Sequence, residues 1–188
     1  ADKVQKLIDK LEKVEVPAAE RRKDALRPWF KTVPAPLDLG HEEMPGPTGE
    51  QNHLSCHARG TILCLGPDAE SAVEQAGTAL SQGNKVVVIA PGAEKALADA
   101  IKAGLPVLAA DGVIDPDALT QLEGYAAITS VAEKPLLKQY RQALARRDGA
   151  LLPIITEHNL DQRYVIERHL CIDTTAAGGN ASLIASAE

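Results

Sequence analysis

The feature that most constrains this chain is the stretch from Arg59 to Ala110, which carries a closely spaced strand-helix-strand-helix-strand pattern. Thr61-Ile62-Leu63-Cys64-Leu65 is continuously apolar and rich in branched residues, as expected of a strand buried on both faces of a parallel sheet. Gly66-Pro67-Asp68 ends it. Asp68 is placed to cap a helix whose apolar positions Ala69, Ala72, Val73, Ala76 and Leu80 recur at helical spacing. Gly83 supplies the left-handed residue just past the end of that helix. Lys85 to Ala90 then reads as a second buried strand, Ala93 to Ala103 as a second helix stopped by Gly104, and Val107-Leu108-Ala109 as a third strand. Parallel strands need crossovers, which are right-handed by default, so the pattern predicts half of a doubly wound sheet.

The rest of the chain continues in the same style before departing from it. Asp115-Pro116-Asp117 starts a short helix, Ala126 to Ser130 a fourth strand, and Pro135 sits in the first turn of a helix running to Arg147. Leu151 to Thr156 is the fifth strand. The predicted fold class is α/β: a Rossmann-like doubly wound, mostly parallel five-stranded sheet. Tyr164 to Asp173 instead alternates apolar and polar residues, which predicts a long strand in a protruding β-flap. At the other end, Asp2 to Phe30 reads as two helices broken at Val16-Pro17, neither belonging to the sheet pattern. Their basic trio Arg21-Arg22-Lys23, flanked by Glu20 and Asp24, reads as a solvated helix face. Lys31 to Gly49, with four prolines and three glycines, reads as an extended connector. The expected division is therefore 1–44 (helices and connector), 45–163 (α/β domain) and 164–188 (flap and C-terminal motif).

Composition excludes several function classes. No apolar run approaches the roughly 20 residues of a spanning helix, so no membrane span is expected. Aromatics are 3% of the chain and the net charge is -6, which argues against a nucleic-acid surface. Three unpatterned cysteines, Cys56, Cys64 and Cys171, fit a reducing compartment, and the cytoplasm is the expected location. The chain opens on Ala-Asp rather than methionine, as a piece of a longer protein would.

A doubly wound half-sheet often binds a dinucleotide at the turn after its first strand, where glycines let backbone N–H groups approach a pyrophosphate. Leu65-Gly66-Pro67-Asp68-Ala69-Glu70 has one glycine, a proline that removes a donor, and two carboxylates that repel phosphate, and so reads as a structural turn. His53, Cys56 and His57 match no common zinc spacing. Cys171 with His169 suggests a thiol and its base, but neighbours two apart on a strand stand about 7 Å from each other, too far for direct proton transfer. No catalytic, cofactor-binding or metal residue is assigned.

Two resemblances sharpen the reading. Ala79-Leu80-Ser81-Gln82-Gly83-Asn84-Lys85-Val86-Val87-Val88 resembles the aldehyde dehydrogenase strand that presents a lysine to the cofactor ribose; the lysine position here is Ile89. The turn that holds an oxyanion-stabilising asparagine in that superfamily reads Gly66-Pro67-Asp68. The second resemblance is to the bacterial bifunctional proline-utilisation flavoenzymes. It is carried by Pro45-Gly46-Pro47-Thr48-Gly49-Glu50-Gln51-Asn52, by Glu167-Arg168-His169-Leu170, and by Thr174, Thr175, Ala176, Ala177, Gly178, Gly179, Asn180, Ala181, Ser182 and Leu183. That last run of small residues allows close backbone approach but buries little by itself, so it is assigned to interdomain contact.

The second resemblance implies a parent enzyme that oxidises proline to pyrroline-5-carboxylate with FAD and then glutamate semialdehyde to glutamate with NAD. In the longer members, a C-terminal aldehyde dehydrogenase-like domain without activity of its own packs on the dehydrogenase module and covers the route of the intermediate. On that implication this chain holds no cofactor and is not an enzyme by itself. Its partner is the upstream 1-pyrroline-5-carboxylate dehydrogenase module of the same polypeptide, with self-association through the flap as a second contact. Two other readings stay open: an NAD-binding dehydrogenase module, and a stand-alone interaction protein.

Overall fold

The structure, a computed structural model, describes residues 1–38, 40–158 and 160–173. Its centre is a five-stranded, all-parallel sheet built from β3 (Thr61–Cys64), β4 (Lys85–Ile89), β5 (Val107–Ala110), β6 (Ala127–Thr129) and β7 (Ile154–Ile155), in the order β5-β4-β3-β6-β7. The chain winds outward from β3 in both directions. The sheet therefore has its topological switch point between β3 and β6, as the strand-helix alternation predicts.

Alternation along the strands feeds two cores. Leu63, Leu65, Val87, Ile89 and Ile128 face one side, where α1 (Asp2–Leu11), α5 (Lys134–Ala145) and the 3-10 turn Pro116–Thr120 cover them. Ile62, Cys64, Val86, Val88, Val107 and Ala127 face the other, under α2 (Ala19–Leu26), α3 (Ala69–Ser81) and α4 (Ala93–Lys102). Strands buried on both faces can read only as unbroken apolar runs, which is why Lys85–Ile89 shows no alternation. The caps also follow the sequence: Asp68 Oδ1 accepts from Ser71 N at 2.8 Å, and Pro135 lies in the first turn of α5.

Three expectations change. The first two helices do belong to the sheet, because Val4, Ile8 and Leu11 of α1 fill one core and Leu26 of α2 the other. The basic trio is not a purely solvated face: Arg22 is buried and forks onto Asp38, Nη1 to Oδ1 at 2.7 Å and Nη2 to Oδ2 at 3.0 Å. Its Nη1 also donates to the Ser81 carbonyl at 3.1 Å, closing the C-terminal end of α3. Third, the stretch read as a connector contains β1 (His41–Met44), which pairs with β2 (Glu50–Ala58). β2 in turn pairs antiparallel with β8 (Val165–Asp173) over nine residues, so the flap is a three-stranded sheet in the order β1-β2-β8. The stretch Tyr164 to Asp173 is a strand as predicted, with both faces of its outer part exposed.

Candidate functional site

In an open α/β sheet, ligands enter the crevice beyond the carboxyl ends of the strands at the switch point, so the residues after β3 and β6 are the place to look. Here the turn after β3 is bonded to its own chain. Gly66 turns with φ +70°, and a Cβ there would stand 2.7 Å from Asp68 N, so the turn is tight enough to require glycine. Gln75, buried on α3, then grips it with both ends of its amide: Oε1 accepts from Gly66 N at 3.2 Å and Nε2 donates to Gly66 O at 3.0 Å. From the β6 side, Val131 N reaches the same carbonyl at 2.9 Å and Ser130 Oγ at 3.4 Å. The Gly66 N–H, which a phosphate-binding turn would point at its ligand, is thus already committed. Ser71 N at the start of α3 is committed to Asp68, and that hydrogen bond holds the carboxyl of Asp68 below the usual range.

The cofactor positions of the resemblance are filled in the same manner. Ile89, standing where a ribose-facing lysine is expected, is buried in the core that contains Leu65 and Ile114. The cavity bordered by Gln75, Val131 and Tyr164 has about 10 Å³, room for at most one water. Beside it, the Tyr164 hydroxyl lies 3.0 Å from Thr129 Oγ1, and burial pushes its pKa up. Burial likewise raises the thiol of Cys64, which is fully enclosed and therefore inert as a nucleophile at neutral pH.

The flap does not assemble the cysteine and histidine candidates into one centre. β2 directs His53 and His57 to one face and Cys56 to the other. His169 Nε2 is engaged by Asn52 Oδ1 at 3.1 Å rather than by Cys171. Sequence reasoning missed a contact on this strand: Ser55 Oγ lies 2.9 Å from His57 Nε2. Among the described residues no carboxylate is hydrogen-bonded to either side chain, so the pair lacks the third group that orients a catalytic histidine. The expected interdomain-contact residues, 174–183, lie outside the described residues.

What the Gln82-Gly83-Asn84 segment does is hold the flap. Asn84, fully buried, accepts from Arg59 N at 2.8 Å and Gly60 N at 3.2 Å, at the root of β2. Its Nδ2 donates to Tyr164 O at 2.9 Å, at the root of β8, and to Ala79 O at 3.0 Å. Gln82 does the same for the segment leading to β1, accepting from Leu37 N at 2.9 Å and donating to Ala35 O at 2.9 Å. All three flap strands are thereby tied to the C-terminal end of α3.

The chain thus forms an α/β fold, a doubly wound parallel sheet carrying an antiparallel flap at the entry to its first strand. The crystal structure of an aldehyde dehydrogenase from Brucella melitensis biovar abortus 2308 has this fold, with a TM-score of 0.59 at 17% identity over 76% of this chain and 42% of that one. The chain is homologous to the bifunctional protein PutA. It is 30% identical to the Escherichia coli (strain K12) protein over 150 residues and 34% identical to that of Rhizobium meliloti over 166 residues. A crystal structure of Bradyrhizobium japonicum Proline Utilization A (PutA) is 29% identical, with a TM-score of 0.55 over 65% of this chain and 14% of that chain. The matched segment covers 75 to 79% of this chain but only 11 to 12% of these two relatives. No family model matches the sequence.

Proposed function

We propose that this chain is a non-catalytic domain of a bifunctional proline-catabolic enzyme, one that covers the path of the pyrroline-5-carboxylate and semialdehyde intermediate and steadies the dehydrogenase module. The observation that carries the non-catalytic half is the stitched switch point: Gln75 and Ser130 hold the turn that a cofactor would need, and Ile89 replaces its lysine. The covering half rests on the run from Thr174 to Leu183, whose small residues suit close backbone approach to a groove or sheet edge of the upstream module. FAD and NAD belong to the parent's other modules on this reading, and the parent works in the cytoplasm. Among the described residues no helix is long and apolar enough to cross a membrane.

Titration calorimetry of the 188-residue chain with NAD tests the non-catalytic half. No binding isotherm is expected, and a micromolar constant contradicts it. One further contact has an observation in its favour. Ile166, Leu170 and Ile172 are exposed on one face of β8, an edge strand of the flap among the described residues, which suits self-association through that strand. Leu170→Asp should then lower the sedimentation mass of the parent. Unchanged mass removes this contact from the account.

A further inference from the structure

A groove of about 410 Å³ lies between the segment after α2 and the first turns of α3, with α4 alongside. Trp29, Lys31, Glu70, Val73, Glu74 and Ala96 line it. Its shape is set by packing. Phe30 is sunk in the core, and the Thr32 carbonyl crosses α3 so closely that a Cβ on Gly77 would stand 2.4 Å from it. The strap that carries Trp29 and Lys31 therefore rests on the helix that carries the two glutamates.

The chemistry of the lining is specific. Trp29 is the sole tryptophan of the sequence, and it is 41% exposed, although a large aromatic is ordinarily sheltered. Glu70 and Glu74 stand one helical turn apart on the same face of α3, and among the described residues neither has an ion-pair partner. An indole face attracts a cation, two unpaired carboxylates strengthen the attraction, and the small floor of Val73 and Ala96 leaves room for an aliphatic stem. Lys31 offsets one of the two negative charges, leaving the lining with a net excess of one.

The geometry points to a docking site for an arginine side chain presented by a neighbouring protein segment. A planar guanidinium can stack on Trp29 while directing its N–H groups at Glu70 and Glu74, which a lysine ammonium does less well. A protein source is favoured because the chain spans 11% of the length of its Escherichia coli relative, which carries further polypeptide of its own that could meet such a face. This assignment does not depend on the covering role.

Tryptophan emission of the chain is the readout, since Trp29 is its only source. The probe is N-acetyl-arginine amide at low salt, compared with N-acetyl-citrulline amide, its uncharged isostere. A saturable change with the arginine probe and none with citrulline is expected. Glu70→Gln with Glu74→Gln should weaken binding about fivefold or more, and Lys31→Ala should tighten it about twofold by removing a like charge. The absence of saturation with the arginine probe overturns the assignment. So does an equal response to citrulline, unchanged affinity in the double variant, or weaker binding in Lys31→Ala. Circular dichroism of each variant, which should match the parent chain because Lys31 and Glu70 are exposed and Glu74 is partly so, keeps the comparison interpretable.

Discussion

Gln75 bonds both the N–H and the C=O of Gly66, so the N–H that a phosphate-binding turn would offer its ligand is taken by a side chain. Gln75→Ala leaves a buried N–H and C=O with fewer partners, at a cost of about 1–3 kcal/mol, read as a lower urea midpoint. An unchanged midpoint would mean that water replaces the amide. The buried hydroxyl and thiol nearby make stability sensitive to alkali. Burial raises the pKa values of Cys64 and Tyr164 above their ordinary values of 9.0 and 10.0, so both stay protonated in the folded chain at pH values where the unfolded chain ionises. Their contribution is complete below about pH 9 and is lost as pH rises further. Thermal melts between about pH 8 and pH 11 should show falling Tm, with a shallower fall in Tyr164→Phe. An equal slope in that variant would remove Tyr164 from the explanation. At this scale the sequence is legible where the partner is local: Asp68 caps a helix that begins one residue later. It is not legible where the partner is distant. Arg22 looks like one charge in a solvated run because Asp38 is 16 residues away and Ser81 is 59.

Elements divide along the same line. The five strands and the crossover helices follow from apolar runs punctuated by glycine and proline, and they appear within a residue or two of their expected ends, except the fifth strand, whose expected start is Leu151 but which is only the pair Ile154–Ile155. β1 escapes because His41-Glu42-Glu43-Met44 is exposed at every position and shows no periodicity; only its pairing with β2 makes it a strand. α1 could be recognised as an amphipathic helix but not assigned to the sheet, since nothing in its stripe specifies the face it covers. The Gly83-Asn84 segment carries an aldehyde dehydrogenase-like pattern, yet its visible work is mechanical, because Asn84 bonds the roots of β2 and β8 together. Asn84→Ala should cost about 2–4 kcal/mol through the buried groups it leaves unpaired. Hydrogen exchange should quicken in β2 and β8 more than in β4. Uniform quickening would show that Asn84 supports the whole domain rather than the flap.

On the scale of the molecule, a doubly wound parallel sheet has the turn after its first strand bonded by Gln75 and Ser130, while its flap is anchored through Asn84 and Gln82 and its outer strand β8 is exposed. That combination suits a domain whose task is to lie against another. In the proposed parent, each backbone hydrogen bond made by the run from Thr174 to Leu183 would add about 1 kcal/mol and burial of Leu183 about 2 kcal/mol, a modest total. Removing residues 174–188 should leave this domain folded, because the five-stranded sheet and both cores are built among the described residues from segments upstream of 174. The direct test is the time course of proline-to-glutamate conversion by the full-length parent with and without those residues. The account predicts that the truncated enzyme shows a lag and a trappable semialdehyde while its flavin step keeps a near-normal rate; coupled turnover with no lag in the truncated enzyme would contradict the covering role.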